Sequence, residues 1–215
     1  MVILKADISS VIQRDSNGVL PLHYAIAAGH ANLIIMFFEH YENYLEMISN
    51  QSGHSVSTDE KPPDLLLDFK GLSLLHFACY FGHSTCTETI CDLSDSYPFL
   101  VDMLLNTNDE ICSNFNKFSP MHCACATSHE ECMNNLLEKF AEKQSVLVEL
   151  EDDNGNRPLH ICAMNNEYTC TAILLEANCK LNPRNKLGQT PFMLIRLMLW
   201  SCYSLMNGLW VMIGV

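Results

Sequence analysis

Basic residues are scarce in this chain: 12 Lys and Arg face 25 Asp and Glu in 215 residues, for a formal net charge of −13. A nucleic-acid backbone is held by a Lys/Arg stripe, and no such stripe runs through this sequence. The acidity admits two readings, plain solubility or an acidic face for a basic partner. Charged residues of both signs make up only 17% of the chain while 48% is hydrophobic, so it can bury a core and lacks the composition of a disordered segment. Residues 1–15 carry no basic head followed by an apolar stretch, which argues against a secretory signal. There is no phosphate-binding glycine loop, no nucleophile elbow and no metalloprotease histidine pair, and the expectation is a protein without enzymatic activity or a cofactor.

Cysteine is abundant, at an odd count of 11. The cysteines sit inside apolar helical patterns rather than at the loop spacings of a disulfide scaffold, which fits buried free thiols in a reducing compartment. The expected location is the cytoplasm, with the nucleus as a second compartment. The densest metal-like set is His122, Cys123, Cys125 and Cys132. It lacks the two spaced ligand pairs of a structural zinc site. No cysteine shows a recognisable activating context.

One short pattern recurs. It reads Pro21-Leu22-His23-Tyr24-Ala25, Leu74-Leu75-His76-Phe77-Ala78, Pro120-Met121-His122-Cys123-Ala124, Pro158-Leu159-His160-Ile161-Cys162 and Pro191-Phe192-Met193-Leu194-Ile195. Asp15, Asp68, Asn114, Asp152 and Asn185 stand eight places before the His position, and Gly18, Gly71, Gly155 and Gly188 stand five before it. Lys117 breaks the glycine rule in the third copy. Gly29-His30, Gly82-His83 and Ser128-His129 follow the motif, with Asn166-Glu167 in the fourth copy. This is the ankyrin signature, whose period is about 33 residues.

Each position has a physical reason. Asp or Asn with Gly makes a tight turn. Ser73, Ser119 and Thr190 stand where a hydroxyl caps the coming helix, whereas Leu20 and Arg157 cannot, so copies one and four are expected to start less firmly. Proline is tolerated at the first helical position. Gly-His ends the helix through a left-handed residue. His23, His76, His122 and His160 are read as closing a hydrogen-bond network at the helix start, not as ligands or bases.

The intervals between His positions are 53, 46, 38 and 33 residues. Only the last matches the period, so three intervals carry insertions. The expected array spans 1–196, with repeats near 15–41, 68–92, 114–141 and 152–179, a partial copy at 185–196, and insertions near 42–63 and 92–113. The third interval is read as a mere extension of the link through Glu142 to Glu151. The fold class is therefore all-α, an ankyrin-repeat solenoid of stacked helix-turn-helix pairs with protruding turns.

Leu75-His76-Phe77-Ala78-Cys79-Tyr80-Phe81-Gly82-His83-Ser84-Thr85-Cys86, Phe118 to Ala124, Asn154 to His160 and Gly188 to Leu194 carry a closer resemblance. From Asp15 to Leu194 the chain resembles the C-terminal part of the regulatory ankyrin-repeat subunits of serine/threonine protein phosphatase 6. The resemblance implies a non-catalytic scaffold linking phosphatase 6 subunits to substrates, and a chain that is a fragment or short relative of a longer array.

Partners of such arrays usually meet the turn tips and the inner helices. The inner positions four and five after each His are Ala27-Ala28, Tyr80-Phe81, Ala126-Thr127 and Met164-Asn165. Tyr80, Phe81, Thr127, Met164 and Asn165 are the candidate partner-binding residues, with the two aromatics as anchors. The competing expectation packs Tyr80 and Phe81 against the insertion near Pro98 to Leu105. Residues 197–215 form a charge-free segment in which 14 of 19 residues are apolar. It reads either as a membrane anchor, the first span of an ankyrin-bearing channel or acyltransferase, or as a buried terminal helix or non-native tail. Leu187 to Leu199 offers no polar cap, which predicts poor solubility.

Overall fold

The computed structural model describes residues 13–40, 72–97, 100 and 117–195. Inner and outer helices alternate. The inner helices are α1 (Pro21–Ala27), α3 (Leu74–Phe81), α5 (Pro120–Thr127) and α8 (Pro158–Asn165). The outer helices are α2 (31–40), α4 (Ser84–Leu93), α6 (Glu130–Lys139) and α9 (Tyr168–Glu176). A short α7 (Gln144–Leu147) lies between the third and fourth pairs, and residues 191–195 open a fifth inner helix, α10. Inner helices stack on inner helices in the order α1, α3, α5, α8, and α4, α6, α9 stack behind them. This is the all-α helix-pair solenoid that the repeated motif predicts. Ile26, Ile34, Phe38, Leu74, Ile90, Met121, Met133, Leu136 and Leu174 are buried between the two layers. Complete burial of each such side chain is worth about 1.5–3 kcal/mol.

The motif histidine does two jobs. Its Nδ1 accepts the backbone N–H of the residue before the helix: Leu20 at 3.2 Å, Ser73 at 3.0 Å, Ser119 at 3.2 Å and Arg157 at 3.0 Å. A ring nitrogen that accepts has no proton, so the proton sits on Nε2. That Nε2–H then donates across to the next repeat: His76 to the Phe118 carbonyl at 2.7 Å, His122 to Asn156 at 3.1 Å and His160 to Gln189 at 3.2 Å. Each ring thus ties its own helix start to the following turn. His23 lies against Phe77, with ring centroids 4.7 Å apart.

Helices α1 and α8 have no hydroxyl before them and no side-chain cap, in line with the sequence, and their histidines hold the Leu20 and Arg157 amides as in the other copies. Arg157 is further clamped by Glu149 and Glu151. Among the hydroxyls, Ser119 accepts the His122 amide at 3.3 Å and Thr190 the Met193 amide at 3.4 Å. The Ser73 and Ser119 hydroxyls also face Nδ1 of His76 and His122, at 2.8 and 2.7 Å.

The turns follow the same economy. Asp15, Asp152 and Asn185 each accept two backbone amides through one side-chain oxygen, at 2.7–3.1 Å. Lys117 takes the place of the turn glycine and adopts its conformation, with φ at 51°. A side chain in that region costs about 1–2 kcal/mol. Ser128 and Asn166 likewise take positive φ where Gly29 and Gly82 end the earlier inner helices. Gly82 is constrained twice, because a Cβ there would lie 2.3 Å from the His129 ring of the next repeat.

Two stretches differ from the simple repeat. The link before the fourth copy is not a plain extension: a 3-10 turn, Ala141–Lys143, leads into α7, which buries Leu147 and Val148. Beyond α4 the chain turns so that Tyr97 stacks on Phe38, centroids 4.8 Å apart, and Leu100 is buried. The expected insertion at 42–63 and the rest of the one at 92–113 lie outside the described residues, as does 197–215. The array boundaries drawn from the sequence remain an expectation. At the far end Leu187 is 79% and Phe192 70% exposed, where the equivalents of Phe192 in the other copies are buried.

Burial lowers the imidazoles of His76 and His122 from their usual value near 6.5 to about 4. The unfolded chain therefore takes up protons in that window which the folded rings refuse, so stability falls as pH drops from 6.5 towards 4. Thermal melts between neutral pH and pH 4 should show a declining midpoint. A His122→Gln variant should be less stable at neutral pH, by about 2–4 kcal/mol for two lost bonds and their stranded partners, and its midpoint should fall less steeply with acid. An unchanged acid slope in the variant would contradict this assignment.

Candidate partner-binding face

The fourth and fifth residues after His close the last turn of each inner helix. In the second repeat these are Tyr80 and Phe81, at the last turn of α3 before Gly82. They are 53% and 46% exposed and meet edge to face, with centroids 5.2 Å apart. Phe77 lies one turn earlier, 6.3 Å from Phe81. Beneath them is a cavity of about 180 Å³ lined by Leu72, His76, Phe77, Tyr80, Phe81 and Cys123. The insertion that competes to cover them, Pro98 to Leu105, lies outside the described residues apart from Leu100.

The other candidates have internal duties. The Thr127 hydroxyl donates to the Cys123 carbonyl at 2.8 Å, with the Cys79 carbonyl of the preceding repeat at 3.4 Å. The Asn165 amide donates to the Ala126 carbonyl at 3.0 Å, joining α8 to α5. Met164 is half-buried against the core. Thus Tyr80 and Phe81 share a pocket, whereas Thr127 and Asn165 spend polar groups holding neighbouring repeats together.

Two features escaped the sequence reading. Tyr24, one place after its His, is 56% exposed and donates its hydroxyl to the Asp15 carboxylate at 2.7 Å. That bond raises the phenol and lowers the carboxyl relative to their ordinary values. Cys132 is the second. Its sulfur accepts hydrogen bonds from the Cys79 thiol and from Thr87 at 3.4 Å, which pulls it down to about 7 while the same pairing holds Cys79 well up. The Cys132 sulfur is buried at the joint of repeats two and three. Burial pushes Cys123 to about 12, and burial, with Lys139 opposing it and the nearby Asp92 adding to it, does the same for Cys91. All nine described cysteines are free and buried. Both ring nitrogens of His122 are engaged, and among the described residues no group of three or more His, Cys, Asp or Glu is placed to hold a metal ion. No helix among the described residues is long and apolar enough to cross a membrane.

A ladder of stacked helix pairs defines a repeat array, and comparison with known proteins agrees. The profile for ankyrin repeats, three copies, matches residues 43–146 and 94–185. The chain belongs to the ankyrin-repeat family, whose arrays serve as protein–protein interaction modules. It is similar to human transient receptor potential cation channel subfamily A member 1, at 30% identity over 81% of this chain and 12% of that protein. It is also similar to the target of rapamycin complex 2 subunit AVO2 of Saccharomyces cerevisiae, at 26% identity over 60% of this chain and 28% of that one. Human SH3 and multiple ankyrin repeat domains protein 2 is 27% identical over 59% of this chain and 8% of its own length. The chain therefore spans under a third of each of these relatives.

Because Thr127 and Asn165 bond across repeats, Thr127→Val and Asn165→Ala should each lower the unfolding free energy by about 1 kcal/mol. Denaturant titration reads this directly, and midpoints equal to that of the parent would show that those bonds carry no weight.

Proposed function

We propose that this array is a non-catalytic recognition scaffold whose concave face, centred on Tyr80 and Phe81, binds a protein partner. The observation that carries this reading is the exposed aromatic pair over an apolar pocket, set in an array whose repeats the histidine ladder ties together. Exposed aromatics in a preformed hollow are favoured anchors, since little order is lost on binding. The motif resemblance supports placing the array in a regulatory subunit of a phosphatase 6 complex, where it would bridge the phosphatase and its substrates. A reducing cytoplasm, with access to the nucleus, fits the buried free thiols.

A second reading is favoured by a separate observation. The similarity to a cation channel subunit extends over 81% of this chain, and residues 197–215 form a charge-free apolar run. On that reading the array precedes a membrane-embedded region and docks partners on its inner side.

The test compares the full chain with a Tyr80→Ala, Phe81→Ala variant of equal thermal stability as bait in a cell extract, with bound proteins quantified by mass spectrometry. The phosphatase reading expects phosphatase 6 subunits on the parent and their loss from the variant. Their absence from both would overturn it. Sedimentation with membranes that depends on 197–215 would support the channel reading instead.

A further inference from the structure

We infer that the pocket beneath Tyr80 and Phe81 accepts one uncharged, bulky apolar side chain from a partner segment whose flanking residues are Lys or Arg. The inference rests on the reading of the concave face as a partner site and specifies the chemistry of that partner.

The second repeat is where the inner face has large apolar surface to spare. Its counterparts in the other complete copies are Ala27-Ala28, Ala126-Thr127 and Met164-Asn165. The alanines are small, Met164 packs on the core, and Thr127 and Asn165 are committed to neighbouring carbonyls. At about 180 Å³ the hollow has room for one branched aliphatic or aromatic side chain; an apolar cavity of about 150 Å³ already takes a benzene-sized guest.

The floor decides the polarity of the guest. His76 gives one nitrogen to the Ser73 amide and the other to the Phe118 carbonyl, so neither is left for a ligand. Cys123 is buried and held as a neutral thiol. The remaining walls are Leu72, Phe77, Tyr80 and Phe81. A charged or strongly polar group entering this space would give up its water without a partner, at a cost of several kcal/mol.

The surroundings decide the charge of the flanks. Within described residues 13–40 and 72–97, Arg14 is the one Lys or Arg, against Asp15, Glu39, Glu88, Asp92 and Asp95. Arg14 is turned onto the Gly18 carbonyl. Among the described cations of the third repeat, Lys139 is held by Asp92 and Asp95, and Lys117 stands in the turn. The whole chain carries −13. A basic segment is drawn to this end of the array and an acidic one repelled. The exposed ring faces of Tyr80 and Phe81 also favour an ammonium or guanidinium laid over them.

The experiment titrates the full chain with three acetylated, amidated peptides, KKAFAKK, EEAFAEE and KKAGAKK, and follows aromatic and backbone chemical shifts. Saturable shifts at Phe77, Tyr80 and Phe81 are expected for KKAFAKK, at least roughly tenfold weaker for the other two, a difference of 1.4 kcal/mol. Added salt should weaken the interaction. Tyr80→Ala with Phe81→Ala should abolish it. Tyr80→Lys, a change at an exposed position, should narrow or reverse the preference for the basic peptide. Equal binding of KKAFAKK and EEAFAEE, binding that survives the double substitution, or no saturable shift at these rings would overturn the inference. If the peptides fail while the full chain still captures a protein through Tyr80 and Phe81, the pocket chemistry alone is wrong. If both fail, the concave-face reading falls with it.

Discussion

A single neutral imidazole, used from both sides, underlies the array. Each motif histidine accepts at Nδ1 from the amide that opens its own helix and, in copies two to four, donates at Nε2 to the turn of the next repeat. Helix starts leave amides without intrahelical partners, and buried turns leave carbonyls in the same state. One ring answers both needs, and only in the uncharged Nε2–H form. The apolar layers provide most of the stabilisation, but they are not directional. The imidazoles set the register in which one repeat sits on the next.

The recognition face inherits that register. The last turn of each inner helix ends in a left-handed residue, and at Gly82 the His129 ring of the next repeat fills the space a side chain would take. His83 makes the matching contact one repeat earlier, where its Nε2 bonds the Ala27 carbonyl at 3.0 Å. Tyr80 and Phe81 stand immediately before this joint. Their positions are therefore set by backbone packing that does not involve a partner, which lowers the ordering cost of binding. Thr127 and Asn165 occupy the same ring of positions in later repeats but act as ties between helices.

Much of this was legible in the sequence because the repeat is a local code. The Leu-His core of the motif, the Asx-Gly turn and the Gly-His terminator each have a fixed offset, and the helices fall where those offsets place them. What was less legible depends on neighbours distant in sequence. Leu20 and Arg157 supply no side-chain cap, and what holds their amides is the ring of the histidine three places on, as in the other histidine-bearing copies. Lys117 and Ser128 adopt positive φ that their residue types disfavour, while Asn166 does so with a residue that tolerates it. Leu147 and Val148 read as a link, yet they reach the core through a helix of one turn. Tyr80 and Phe81 could be picked by position. The cross-repeat bonds of Thr127 and Asn165 could not, because they depend on carbonyls 48 and 39 residues away. The contact that shifts Cys132 comes from Cys79 and Thr87 in the preceding repeat, and no local motif announces it.

The most direct measurement of this account is the tautomer of the motif histidines, read from ring nitrogen chemical shifts and long-range proton–nitrogen couplings at neutral pH. The ladder requires His76, His122 and His160 to be neutral, with the proton on Nε2 protected from exchange and Nδ1 bare. A proton on Nδ1, or a charged ring at neutral pH in any of the three, would contradict it.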